Sequence, residues 1–208
     1  MKKVIIVLFI NLFFSSISYT QTPNPQLNKQ LDEASRAFLA KNYETSFKLV
    51  EPLASQGEPI AQYLISLHYL NGFYVEKDLN QAFNWVNRSA EVGYPPALTQ
   101  KANMLIVGQG VKKDLPEAFR TLLKASDAGD SDATSLACIL FSQMTEPGEG
   151  AYHLCLLSKT YPFPLPSRML QVEEIIAKVK PQLNTEQIRS AEAKVKAWQI
   201  RRWVYPAK

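Results

Sequence analysis

Residues 57–93 read GEPIAQYLISLHYLNGFYVEKDLNQAFNWVNRSAEVG, and residues 93–129 read GYPPALTQKANMLIVGQGVKKDLPEAFRTLLKASDAG. Glycine, alanine and phenylalanine return along these stretches and their flanks at a step of 36 residues. The recurring sets are Gly57, Gly93 and Gly129, then Ala61, Ala97 and Ala133, and then Phe47, Phe83 and Phe119. Self-similarity at one fixed step of this length predicts an array of stacked structural repeats.

Each repeat carries signals for the start and the end of a helix. The carboxylates of Asp78 and Asp114 can accept hydrogen bonds from the free backbone N–H groups in the first turn of a helix. Gly57 and Gly93 follow apolar periodic stretches, where a residue with positive φ can end a helix. Pro59 comes soon afterwards, where the next helix begins. Between one glycine and the next there is room for two helices, so the repeat unit is predicted to be a helical hairpin.

Hairpins of this kind bury their apolar faces by stacking on their neighbours. The sequence therefore predicts an all-α fold, a right-handed α-solenoid of about four hairpins over residues 31–160. A tightly turned hairpin precedes the two regular repeats, and a degenerate hairpin follows them. A proline-rich break at residues 161–166 then opens a C-terminal helical cap at residues 161–208. Its two helices are predicted near residues 168–180 and 185–202.

The second stretch resembles the Sel-one-like repeat, which is related to the tetratricopeptide repeat. The resemblance is carried by Ala97, the loop Gly108-Gln109-Gly110-Val111, the pair Lys113-Asp114, the run Glu117-Ala118-Phe119, and Gly129. The first stretch departs from the family loop at Tyr74, where a second glycine is usual, and this leaves the conformation of that loop open. The resemblance implies a protein that binds another protein and is not an enzyme.

Residues 1–20 are typical of a secretory signal peptide. Two lysines open the segment, and residues 4–14 form an apolar run that is too short to cross a bilayer. Small residues allow cleavage after either Ser18 or Thr20. Residues 21–30 are predicted to be a short linker. The chain is therefore expected to be exported. The periplasm is the favoured location, and secretion is the alternative.

The solenoid surface is the expected site of partner binding. Six positions on the first helices of the hairpins, or on the loop between paired helices, are predicted to face outward because the periodic core residues leave them free. Aromatic side chains at such positions would make good anchors for a partner. The six predicted partner-binding residues are Tyr63, His68, Phe73, Tyr74, Thr99 and Met104.

Cys138 and Cys155 are the two cysteines of the chain. If the helices that carry them run antiparallel about a turn at residues 145–148, the two positions are equidistant from the centre of that turn and lie level. An even pair of cysteines in an exported chain also favours a disulfide. We therefore predict a Cys138–Cys155 bond that clamps the least regular hairpin.

Catalytic, metal and cofactor chemistry find little support in the sequence. The two histidines, His68 and His153, have no nucleophile motif beside them. Two cysteines and two histidines without paired-ligand spacing do not predict a zinc site, and no cofactor is predicted. The net charge of +4 is too small to indicate a nucleic-acid partner.

The segment from residue 168 onward is more basic than the rest of the chain and contains Trp198, Trp203 and Tyr205. These features would allow peripheral contact with an anionic membrane surface. A solvated cap whose tryptophans fold onto the last repeat is the favoured alternative.

The family resemblance implies three classes of function. The first is a periplasmic adaptor or scaffold that binds an envelope or secretion component. The second is an immunity protein that neutralises a toxic effector delivered between bacteria. The third, with less support, is an accessory of cell-wall or β-lactam chemistry. The first is the leading prediction, because it is the role that the resemblance most often implies.

Overall fold

In a computed structural model, residues 24–144, 148–160 and 166–198 are described. They form α-helices joined by short turns and loops, and no strand occurs within these ranges. The helices are α1 (Pro25–Leu39), α2 (Tyr43–Ser55), α3 (Pro59–Asn71), α4 (Leu79–Glu91), α5 (Pro95–Val107), α6 (Leu115–Asp127), α7 (Ser131–Met144), α8 (Glu149–Ser158), α9 (Pro166–Val179) and α10 (Thr185–Ala197), with a 3-10 turn at Lys180–Gln182. The predicted all-α class is confirmed.

The predicted helix starts are confirmed by their capping hydrogen bonds. The Asp78 side chain accepts from the backbone N–H groups of Asn80 and Gln81 at the start of α4. Asp114 accepts from the N–H of Glu117 at the start of α6, at 2.8 Å. These bonds satisfy donors that have no partner inside the helix, which is why an aspartate at each position starts a helix.

The predicted helix ends are confirmed as well. Gly57, Gly93 and Gly129 have φ values of 91°, 80° and 96°, directly after α2, α4 and α6. Only glycine adopts this backbone region without steric cost, so each glycine ends one hairpin and turns the chain into the next.

Two compact units make up the described chain, one ending at Tyr94 and one beginning at Pro95. In the first unit, α1 to α4 pack in sequence order, each helix against the next. The core of this unit is rich in large apolar and aromatic side chains. Its buried members include Leu31, Phe38, Phe47, Val50, Leu53, Leu64, Ile65 and Leu67.

The second unit packs α5 against α6, α6 against α7 and α7 against α8. The two C-terminal helices continue the array, because α9 lies against α7 and α8 while α10 lies against α8. Cys138 of α7 and Cys155 of α8 form a disulfide with a Cα–Cα distance of 5.0 Å, and both side chains are fully buried. The predicted disulfide is thereby confirmed.

The boundary at the predicted linker needs correction. Residues 25–30 belong to α1 and not to a linker. Asn24 accepts hydrogen bonds from the N–H groups of Gln26 and Leu27, and Pro25 stands at the first position of the helix. This cap lies outside the repeat, so the step of 36 residues did not reveal it.

At the C-terminal end, Asn184 and Gln187 cap the start of α10 through reciprocal hydrogen bonds of 2.9 Å. The helix predicted over residues 185–202 is described as far as Ala197, after which Trp198 is extended. The predicted signal peptide, the proline-rich break before Pro166, and the residues Trp203 and Tyr205 lie outside the described residues.

Candidate protein-binding surface

Three of the six predicted binding residues are buried, so their expected outward placement is wrong. His68 and Met104 are both 0% exposed, and Thr99 is 7% exposed. Helix α3 lies between α2 and α4, and nearly every face of it is covered. A helix buried on most sides has no outward stripe for periodicity to reveal.

Tyr63 and Thr99 occupy equivalent positions one repeat apart, and both contact the residue that stands 31 positions further on. The rings of Tyr63 and Tyr94 lie 5.6 Å apart between their centroids. The hydroxyl of Thr99 donates a hydrogen bond of 2.6 Å to the carboxylate of Asp130. Both side chains therefore link the first helix of a hairpin, α3 or α5, to the turn that follows the second helix, α4 or α6.

The remaining two predicted residues, Phe73 and Tyr74, lie in the loop between α3 and α4, which we call the Tyr74 loop (residues 72–78). Phe73 is half-buried and stacks on Tyr43, with ring centroids 4.1 Å apart. Tyr74 is 51% exposed, and its ring also contacts Phe47 at 5.6 Å. Tyr74 is thus the one exposed side chain among the six.

The backbone of Tyr74 is in the left-handed region, with φ at 67°. The equivalent residue of the next repeat is Gly110, which has the same φ of 67°. A bulky side chain in this region costs about 1 to 2 kcal/mol, a cost that glycine does not have. The family loop conformation is therefore retained at Tyr74 in spite of the substitution, and at an energetic cost.

The loops of the two repeats share one backbone frame. In the Tyr74 loop, the N–H of Gly72 donates to the carbonyl of His68, and the N–H of Asp78 donates to the carbonyl of Tyr69. The loop of the next repeat, residues 108–114, has the same two bonds one repeat later, from Gly108 to Met104 and from Asp114 to Leu105. These bonds fix the path of both loops, so the side chains they display can differ.

Beneath the Tyr74 loop, aromatic rings surround the buried imidazole of His68. The ring centroids of Phe38, Phe47 and Tyr43 lie 5.2, 5.4 and 6.2 Å from that of His68, all in edge-to-face arrangements. Such arrangements add to the energy of apolar burial. The cluster gives the exposed Tyr74 a rigid base.

Two ionic side chains of α2 lie beside this base. Lys48 and Glu44 form an ion pair of 2.7 Å, and both are exposed. The hydrogen bond and charge of Glu44 raise the pKa of Lys48, and Tyr74 contributes in the same direction. The exposed aromatic ring is therefore bordered by a cation and an anion, a composition typical of the rim of a protein interface.

The second unit buries two acidic side chains, those of Asp130 and Asp132, at the start of α7. Asp130 caps α7 by accepting from the N–H groups of Asp132 and Ala133, and burial raises its pKa. Burial also raises the pKa of Asp132 to about 7, although the charge of Arg168 opposes this. Arg168 of α9 bonds to both the carboxylate and the carbonyl of Asp132. These contacts hold α9 on α7 and are structural.

Within the described residues, no group of three or more His, Cys, Asp or Glu side chains could hold a metal ion. No helix in the same ranges is long and apolar enough to cross a membrane.

Consecutive helical hairpins joined by glycine turns define an α-helical repeat protein. The sequence model of the Sel1 repeat matches residues 59–94 and 97–130, so the chain contains two Sel1 repeats. Sel1 repeats form a scaffold that typically binds protein partners and is not catalytic. A search of the curated proteins finds no match.

Two solved structures resemble this fold. One is a Sel1 repeat protein from Oxalobacter formigenes, with a TM-score of 0.57 and 19% identity over 82% of this chain and 80% of that one. The other is c5321, a protective antigen present in uropathogenic Escherichia coli strains that displays an SLR fold, with a TM-score of 0.55 and 17% identity. That match covers 97% of this chain and 42% of c5321, so this chain spans less than half the length of that protein. At these identities the likeness shows the fold, an α-solenoid of hairpins.

Proposed function

We propose that this protein is an exported protein-interaction module, an adaptor or scaffold, and that its partner binds at the Tyr74 loop. The observation that carries this proposal is the exposed ring of Tyr74 on a backbone with φ at 67°. Residues held in sparsely populated backbone regions concentrate at functional sites, where the cost is compensated by the surrounding structure.

Tyrosine suits the role of an anchor for a protein partner. It presents a large amphipathic surface and loses little conformational entropy when it becomes ordered, since it has two rotatable side-chain bonds. Tyrosine is also enriched among the few residues that dominate interface energies. The rigid aromatic base beneath Tyr74, together with Lys48 and Glu44 at its border, supplies the packed centre and the polar rim that such an interface needs.

The disulfide supports the proposed location outside the cytoplasm. Disulfides persist in oxidising compartments such as the periplasm and the extracellular space. The bond between Cys138 and Cys155 is fully buried in the second unit. This agrees with the signal peptide predicted for residues 1–20, and these two grounds support the proposed periplasmic location.

The test is capture of partners from a native envelope fraction with the tagged mature chain and with its Tyr74→Gly variant, followed by mass spectrometry. Glycine retains the loop conformation, as Gly110 does, and removes the ring. Val92→Ala is the matched control, because Val92 is 44% exposed in the same unit but lies outside the loop.

Envelope or secretion proteins that the native chain and Val92→Ala retain, and that Tyr74→Gly loses, would support the proposal. A single stoichiometric toxic effector would replace the adaptor role with inhibition. Equal capture by all three forms would refute binding at the Tyr74 loop.

A further inference from the structure

Several positions in and beneath the Tyr74 loop differ from their equivalents in the next repeat, while the backbone hydrogen bonds that frame the loop are shared. Three of the pairs, each related by a step of 36 residues, are Tyr74 and Gly110, His68 and Met104, and Ser46 and Ala82. The side chains of His68 and Ser46 are bonded to each other, and His68 is bonded to the residue before Tyr74.

The imidazole of His68 joins α2 to the Tyr74 loop. Its Nδ1 lies 2.9 Å from the carbonyl oxygen of Phe73, and its Nε2 lies 3.2 Å from the hydroxyl of Ser46. A carbonyl only accepts, so Nδ1 carries the hydrogen and donates it to Phe73. In the neutral ring, Nε2 is then an acceptor, and the Ser46 hydroxyl donates to it. Both ring nitrogens are satisfied in this single tautomer.

The bond to Phe73 is additional to the frame that both repeats possess. His68 and Met104 each accept through their backbone carbonyls from the two N–H groups that follow their helices. The thioether of Met104 has no hydrogen to donate to the loop, whereas the imidazole of His68 does. The extra bond ends on the residue directly before Tyr74. It therefore restrains the one peptide that must orient the strained residue.

We propose that His68 is a positioning residue that holds the Tyr74 loop in its partner-binding conformation and releases the loop in acid. The inference rests on the proposed function of Tyr74. His68 itself is fully buried and does not touch a partner. It acts through the carbonyl of Phe73 and through the ring cluster beneath the loop.

The environment of His68 makes this contact sensitive to protons. The ring faces Phe38 of α1, Tyr43, Ser46 and Phe47 of α2, and the carbonyl of Phe73. None of these described groups is a carboxylate that could neutralise a charged imidazole. Burial therefore lowers the pKa of His68, although the hydrogen bond to the Phe73 carbonyl opposes this shift. Acid thus favours arrangements of the loop in which the charged ring reaches water.

The next repeat provides an internal control, since Met104 does not titrate. Hydrogen exchange of the full chain, followed by mass spectrometry, would compare residues 72–78 with residues 108–114 at about pH 7.5 and about pH 5.5. The ratio of the two exchange rates cancels the intrinsic effect of pH on amide exchange. We expect the ratio to rise by about fivefold in acid, a factor comparable to the contribution of one ordinary hydrogen bond, because the charged ring favours open arrangements of the loop.

In the His68→Met variant, the ratio should already be raised at neutral pH and should not change with acid. A constant ratio in the native chain, or an unchanged pH response in the variant, would overturn the proposal. If His68→Met does not fold, Ser46→Ala serves instead, with the expected effect that the ratio rises at neutral pH.

Nitrogen NMR of the imidazoles gives a second readout, with His153 as the comparator. The native chain should show His68 protonated at Nδ1 and not at Nε2 at neutral pH, and the opposite tautomer would contradict the assignment. None of these measurements requires a partner. Negative results in the exchange and NMR experiments would therefore refute the role of His68. The capture experiment with Tyr74→Gly would still test the role of Tyr74 separately.

Discussion

The two compact units of this protein are built on the same hairpin and stabilise it by different chemistry. The first unit fills the space beneath its loop with aromatic rings around a neutral His68. The second unit uses a disulfide, small side chains and the buried carboxylates of Asp130 and Asp132. Glycine and aspartate at fixed spacing therefore define the hairpin, whereas the side chains between them can differ from one repeat to the next. Among the described residues, the first unit combines a strained, exposed tyrosine with a buried histidine.

The largest expected effect concerns the acidic interior of the second unit. Arg168→Met removes the cation that faces Asp132, whose side chain is 6% exposed. Removing one member of a buried pair leaves the other uncompensated, and we expect a loss of about 3 to 4 kcal/mol of unfolding free energy. Urea denaturation measures this loss. The Arg168→Met, Asp132→Asn double variant should recover most of the lost stability. An equal loss in the single and the double variant would contradict the pairing of Arg168 with Asp132.

Removal of the disulfide should have a slightly smaller effect. The bond closes a sequence separation of 17 residues between Cys138 and Cys155. Cross-links of this span restrict the unfolded chain by about 3 kcal/mol. The Cys138→Ala, Cys155→Ala double variant should lose that amount in thermal or urea unfolding. The first unit has no cysteine, so hydrogen exchange of α1 to α4 should not change, and a loss of protection there would count against two separate units.

The pH dependence of stability separates His68 from Asp132. Burial lowers the pKa of His68 below its ordinary 6.5, so below pH 6.5 the unfolded chain takes up a proton that the folded chain resists. The contribution of His68 is therefore present above pH 6.5 and declines in acid. The pKa of Asp132 is raised from 3.8 to about 7, so its contribution is present below pH 3.8 and declines as pH rises towards 7.

Thermal unfolding between pH 4 and pH 7 tests both signs. His68→Met should flatten the loss of stability on the acidic side, and Asp132→Asn should flatten the loss that accompanies rising pH. If the native chain and one of the variants had identical pH profiles, the substituted residue would not contribute to the pH dependence of stability.

The smallest expected effect tests the strain at the loop. Tyr74→Gly should stabilise the chain by at most about 0.5 kcal/mol, because the lost contact with Phe47 and the entropy of glycine offset most of the relieved backbone strain. Gly110→Ala should destabilise it by about 1 kcal/mol. Calorimetry of both variants measures these shifts. If Tyr74→Gly destabilised the chain, packing against Phe47 would explain the tyrosine, and its backbone strain would no longer support a functional role.

The elements that could be predicted from the sequence are those that local interactions determine. The step of 36 residues revealed the hairpin, and Asp78, Asp114 and the three glycines marked its ends. The equal spacing of Cys138 and Cys155 about a turn revealed the disulfide. The unusual tyrosine at position 74 was also visible, because a glycine is usual at that position of the repeat. Each of these features depends on contacts within a few residues or on simple antiparallel symmetry.

The repeat and its helix boundaries within the hairpins thus follow from local sequence signals. Which faces are buried, and which conformation the Tyr74 loop adopts, depend on the folded chain. His68 lies in the interior because α2 and α4 cover α3 on both sides, and its ring contacts side chains of α1 and α2. Met104, one repeat later on α5, is equally buried. The bonds from His68 to Ser46 and from Arg168 to Asp132 join residues 22 and 36 positions apart. Such pairings follow from packing between helices, and local propensity carries no information about them.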